Sequence, residues 1–132
     1  MAITHTVATH KNKEIVDITD ELNSILSTNN FVDGLCHVFC LHTTAAITTA
    51  DLDPGTDLDM LDAFEALMPK LRYRHPHNPA HAPDHIMSTI IGPSVLVPVV
   101  GGALKLGTWQ RVIFVELDGP RKRHAEITFV KA

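Results

Sequence analysis

The sequence contains no run of about 18 apolar residues, and its first residues, MAITHTVATHKNK, hold neither an apolar h-region nor a small-residue cleavage site. A membrane-spanning helix and a secretory leader are thereby disfavoured, and the chain reads as a soluble cytoplasmic protein. Cations are scarce as well. Lys and Arg number 11 against 15 Asp and Glu, which leaves a formal charge of −4. That is the wrong sign for nucleic acid or an anionic membrane. Cysteine is limited to Cys36 and Cys40 in LCHVFCLH. On a strand, that spacing puts them roughly 13 Å apart, too far to bridge, which suits a reducing compartment. A Walker loop, a dinucleotide-binding glycine fingerprint, a CxxC pair and a nucleophile elbow are all missing. So are internal repeats and linkers, so residues 1–132 read as one domain.

What the chain does have is histidine. HPHNPAHAPDH, from His75 to His85, places four histidines and three prolines in eleven residues. The prolines forbid a regular helix or central strand across it, so it reads as a loop. Histidine both titrates near neutrality and ligates metals, so the loop suggests metal or proton chemistry. A solvated polar loop is the plain alternative. His81 and His85 have helical i,i+4 spacing, but Pro83 between them argues against a shared helix.

The remaining pattern is that of an α+β domain with antiparallel, sandwich-like sheets and two short helices. ITHTVATH and EIVDIT flank KNK as a hairpin. DELNSILSTNN opens with Asp20 as an N-cap, carries Ile18, Leu22, Ile25 and Leu26 on one stripe, and stops at Asn29 and Asn30. LCHVFCLH reads as a strand buried on both faces, with His42 at its end sharing a face with Cys36, Val38 and Cys40. TDLDMLDAFEALMP forms the second helix, with Thr56 and Asp59 spaced as a capping box and Pro69 as its stop. HIMSTIIG makes at most a brief helical turn. Gly101 and Gly102 turn one hairpin, and DGP turns another.

Period two in TWQRVIFVELDG sets Gln110, Val112, Phe114 and Glu116 on one face and Trp109 with Arg111 on the other. Two polar groups on an apolar face need partners or a site. For Trp109 the plain reading is core packing. GPRKR supplies Arg121, Lys122 and Arg123, either a solvated hairpin end or a phosphate-binding group, since guanidinium matches phosphate oxygens bidentately.

Three motifs in order, LHTTAAITTADLDP, YRHPHNPAHAPDHIMSTIIGPS and GGALKLGTWQRVIFVELDGPRKR, resemble the YjbQ family, whose members are described as secondary thiamine-phosphate synthases. The resemblance implies a homotrimer with pockets near or between subunits and a histidine-rich site. It implies His42, His75 and His85 as catalytic residues and ligands of a divalent metal, zinc by default, with Gln110 and Glu116 also catalytic. Thr43, Thr44, Trp109, Gln110 and Arg121 are the implied binding residues for a small phosphorylated molecule. His77 and His81 match no family position and are taken as peripheral. The implied reaction joins a pyrimidine diphosphate to a thiazole phosphate. A metal-dependent hydrolase and a non-enzymatic trimeric metal- or metabolite-binding protein are the alternatives. One departure is plain: many members carry Asn-Glu where this chain has Thr49 and Ala50, which removes a carboxylate.

Overall fold

The computed structural model describes residues 2–132. Two antiparallel sheets stack, with one helix contributing to the core between them and two packed against the outer face of the second sheet. β1 (Ala2–Ala8), β3 (Gly34–Cys40), β5 (Ser94–Val100), β6 (Ala103–Leu104) and β8 (Lys122–Lys131) form one sheet in the order β1-β8-β3-β5-β6. β2 (Glu14–Asp17), β4 (Ala45–Ala50) and β7 (Arg111–Glu116) form the second, with β7 central. The helices are α1 (Thr19–Thr28), α2 (Thr56–Leu67) and α3 (Ala82–Ile91), the last preceded by a 3-10 turn at Pro79–His81.

Alternation along β7 explains the layering. Val112 and Phe114 point into a core shared with Cys36, Val38, Val97 and Ile127 of the first sheet and with Leu22 and Leu26 of α1. Ile113, Val115 and Leu117 point the other way, into a second core with Met87 of α3 and the partly buried Phe64 of α2. β7 is thus buried on both faces, as its apolar run requires.

Several local expectations change. KNK does not turn a hairpin, because β1 pairs with β8 and β2 with β7, so the chain passes from one sheet to the other. DGP does the same between β7 and β8. Turn residues specify a reversal, but not which sheet receives the next strand. β3 alternates rather than burying both faces: Cys36, Val38 and Cys40 lie inside, while Leu35 and Phe39 stay exposed in the single chain. Both thiols are free and buried, and burial pushes that of Cys36 up to about 11. α1 starts after Ile18, with Asp17 accepting from the Thr19 amide at 3.0 Å, rather than at an Asp20 cap. α2 starts after Gly55, in the left-handed region, with no side-chain cap from Thr56.

α3 is the largest change. Pro83 sits in its first turn, where backbone N–H groups have no helical acceptor and a fixed φ is already helical, so the proline opens the helix instead of breaking it. Ser88 then ties α3 to β4, donating to the Ala45 carbonyl at 2.6 Å.

Candidate functional site

Two crossings between the sheets lie side by side at one end of the molecule. Residues 41–44 carry the chain from β3 to β4, and residues 117–121 carry it from β7 to β8. Backbone bonds lace them to their neighbours: Leu41 N to His124 O at 3.2 Å, and Leu117 N to Thr44 O at 3.1 Å. With the start of α3 they enclose a polar cleft of about 410 Å³. His42, His81, His85, Asp118, Arg121 and Arg123 line it, with Thr43 and Thr44 beside them.

Its floor is an ion pair. Glu116 is fully buried and Arg123 is 3% exposed. Arg123 Nε donates to Glu116 Oε1 and Oε2 at 2.9 and 3.0 Å, and its Nη2 reaches Glu116 Oε2. Nη2 also donates to Thr44 Oγ1 at 2.9 Å and Thr44 O at 3.2 Å. Thr9 Oγ1 donates to Glu116 Oε1 at 2.6 Å, and the amides of Leu117 and Asp118 donate to Oε2 at 3.1 and 3.2 Å. Burial alone would raise the Glu116 pKa, but hydrogen bonds from Arg123, Thr9 and the Asp118 amide outweigh it, and the carboxyl is held below its ordinary range. Gly119 is required here, because a Cβ would stand 2.8 Å from Glu116 Cγ and 2.5 Å from the Lys11 carbonyl.

His42 Nε2 accepts from the backbone N–H of His124 at 2.7 Å. A neutral imidazole has one acceptor nitrogen, so this bond fixes the proton on Nδ1. Partial burial, then the positive charges of Arg123 and His124, lower the His42 pKa, with Glu116 opposing. His42 is therefore a neutral donor into the cleft.

On the facing wall, His81 Nδ1 lies 3.7 Å from Asp118 Oδ2, and Arg121 donates from Nη2 to the same oxygen at 3.1 Å and from Nε to Asp118 O at 2.7 Å. His81 precedes α3 and His85 lies one turn on, so both imidazoles reach the cleft. His81, expected to be peripheral, is thus a cleft residue. Its i,i+4 spacing to His85 was the usable signal, and Pro83 masked it. Thr9 is the other residue that the motifs do not single out, whereas Arg123 belongs to the GPRKR group and is here the buried partner of Glu116.

Other expected residues fall elsewhere. His75 lies against His85, with ring centroids 4.7 Å apart and the rings tilted by 45°, but does not line the cleft. Trp109 is 72% exposed rather than packed in the core. Gln110 precedes β7; it donates to Thr49 Oγ1 and accepts from the Gly107 amide, both at 3.1 Å. Six residues of extended chain separate it from Glu116, about 20 Å. A single chain therefore does not bring Trp109 and Gln110 to the histidines. Nor does a divalent ion fit His42, His75 and His85 as they stand. The acceptor nitrogen of His42 is taken, and among the described residues no group of three or more His, Cys, Asp or Glu side chains is placed to hold a metal.

The family model described as UPF0047 protein YjbQ-like matches residues 3–132. This chain belongs to the YjbQ-like UPF0047 family. It is 40% identical over 123 residues to a UPF0047 protein of Mycobacterium tuberculosis, covering 90% of this chain and 93% of that one. Identity to UPF0047 protein YugU of Bacillus subtilis is 37%, covering 89% of each chain. Among solved structures, a hypothetical protein from Aeropyrum pernix K1 superposes with a TM-score of 0.89 at 37% identity, covering 100% of this chain and 99% of the other. A YbjQ-like protein of unknown function from Sulfolobus solfataricus P2 gives a TM-score of 0.90 at 33% identity, covering 100% and 97%. Among the described residues of this family member, no helix is long and apolar enough to cross a membrane.

Proposed function

We propose that the cleft binds a small phosphorylated molecule and transfers its organic part with loss of diphosphate, as in thiamine-phosphate synthesis. The observation that carries this reading is the convergence of Arg121 and Arg123 with three histidines on one polar cleft. Arg121 is the mobile partner: its side chain is 53% exposed, so it can shift from Asp118 towards a phosphate oxygen. Arg123 is fixed by Glu116 and supplies a preorganised cationic edge.

The thiazole nitrogen attacks the methylene carbon of the pyrimidine diphosphate, forming a C–N bond. The C–O bond breaks and its electron pair leaves with the diphosphate. Arg121, Arg123 and the His42 Nδ1–H stabilise the charge that develops on the leaving oxygens. His81, 3.7 Å from Asp118, is the cleft group placed to protonate the departing group. No step requires the expected metal.

A trimer suits the reading. The outer face of the first sheet carries Leu35, Phe39, Leu96, Val100 and Val130 exposed in the single chain. An apolar sheet face of that extent favours burial against further copies. Assembly also offers the exposed Trp109 and Gln110 a route to a neighbour's cleft.

Calorimetric titration with inorganic diphosphate, followed by an assay for thiamine phosphate from the two precursors, tests the reading. Saturable diphosphate binding lost in Arg121→Ala, together with product formation, supports it. Diphosphate binding without product favours the non-enzymatic binder, towards which Ala50, in place of the family's glutamate, points. Absence of binding removes the phosphate site.

A further inference from the structure

Behind α3, on the side away from the histidines, lies a second and larger cavity of about 960 Å³. We infer that this cavity is a separate binding site for an uncharged, mainly apolar small molecule of metabolite size, independent of the phosphate chemistry of the cleft.

α2 carries the strongest observation. It is a 12-residue helix in which no residue is buried, whereas α1 buries Thr19, Leu22 and Leu26 and α3 buries Ala82, Met87 and Ser88. A helix bordering a core ordinarily seats an apolar stripe on it. Here Phe64 and Met68 reach the core of Met87 and Leu117 only in part, and together with Leu61 they line the cavity across from those two residues. The volume falls within the range of small-molecule sites, roughly 300–1,000 Å³. The segment 69–78, which has no regular secondary structure, borders it through Leu71 and Tyr73, and the pocket is therefore walled on more than two sides.

Charge at the mouth selects the class of occupant. Lys13, Lys70 and Arg72 are matched there by Asp62, Glu65 and Asp84, with Lys13 paired to Asp84. A balanced rim offers no net field to an anion or a cation, and its apolar floor takes an uncharged body. The position has a structural consequence too. Pro83, Asp84 and Met87 line the cavity, while His81 and His85 of the same turns line the cleft. An occupant therefore rests on the back of the helix that carries His85 and follows directly on His81.

Prodan, an uncharged naphthalene dye that emits further to the blue in apolar surroundings, is the probe, titrated into the full chain. One saturable site per chain with a blue-shifted emission is expected. Leu61→Trp, which fills the space from a half-buried position, should weaken binding at least tenfold. Leu58→Trp on the same helix, where the wild-type residue is 58% exposed, provides the same reading should the first variant fold poorly. His85→Ala and Phe39→Asp should leave affinity unchanged, since neither lines the cavity. Non-saturable binding, affinity indifferent to both tryptophans, or loss of the signal in Phe39→Asp would overturn the inference. So would loss of the signal as protein concentration rises, which would show that a second copy covers the mouth.

Discussion

Arg123 and Glu116 meet edge to edge with almost no access to water: Nε lies 2.9 and 3.0 Å from the two carboxylate oxygens. Removing one partner of such a buried pair leaves the other charged and unsatisfied, at a cost of about 3–5 kcal/mol. Glu116→Ala and Arg123→Ala should each lower the denaturant midpoint by a corresponding amount. Chemical unfolding followed by circular dichroism measures it. A loss below about 1 kcal/mol would mean that water reaches the pair.

The same groups set the acid response. Folding holds the Glu116 and Asp17 carboxyls below their ordinary values of 4.5 and 3.8, Asp17 because bonds from Arg111 and Thr19 outweigh its burial. Their stabilisation is present above those values and is lost as pH falls through the lower folded ones. His42 acts in the same direction. Its folded pKa lies below the ordinary 6.5, so the unfolded chain takes up a proton first and stability begins to fall as pH drops below 6.5. Midpoints from pH 8 to pH 3 should therefore decline in two stages, and His42→Gln should remove the first.

Arg121 and Lys122 separate specific recognition from diffuse charge. Arg121→Ala should weaken inorganic diphosphate roughly tenfold, about 1.4 kcal/mol, with unchanged thermal stability because its side chain is half exposed. Lys122→Ala should have no effect, since Lys122 does not line the cleft. Arg123, locked to Glu116, cannot compensate for the loss of Arg121. Equal losses in Arg121→Ala and Lys122→Ala would reduce the effect to net charge.

Metal analysis of protein purified without an affinity tag should return well under one zinc per chain, and added zinc should not raise the melting temperature. For His42 to ligate, it would have to surrender the 2.7 Å bond from His124. Stoichiometric zinc that disappears in both His42→Ala and His85→Ala would show that the histidines rearrange or that assembly completes the set.

Sedimentation should give a species of three chains rather than one of 14.5 kDa. Leu96→Asp, on the outer face of the first sheet at 59% exposure, should dissociate it. A wild-type monomer at micromolar concentration would contradict the trimer.

Much of this molecule was legible in its residues, for reasons of periodicity. Alternation in RVIFVE assigns Val112 and Phe114 to one core and Ile113 and Val115 to the other, and the buried Glu116 needed the partner it has. The apolar stripe of α1 and its asparagine stop were equally readable. What could not be read was long-range. KNK and DGP signal turning, but sheet membership is decided by pairing partners more than a hundred residues away, such as Val7 opposite Arg123. Pro83 breaks a helix in its interior, but in the first turn it starts one. That single position hid α3 and with it the place of His81 in the cleft. Motif order placed Trp109 and Gln110 with the histidines, yet β7 holds them at its opposite end.

The two walls of the cleft differ in how they are tethered. One is the end of β7, a strand with a core on each face, so it cannot shift without disturbing the whole fold. The other hangs from α3 and the 3-10 turn before it, which follow ten residues without regular structure, and is pinned to the second sheet by Ser88. The cleft is thus a vice with one fixed jaw and one adjustable jaw. Sequence changes between Pro69 and Asn78 can reset its gape and alter which molecule it grips, while the strands that make the protein fold stay as they are.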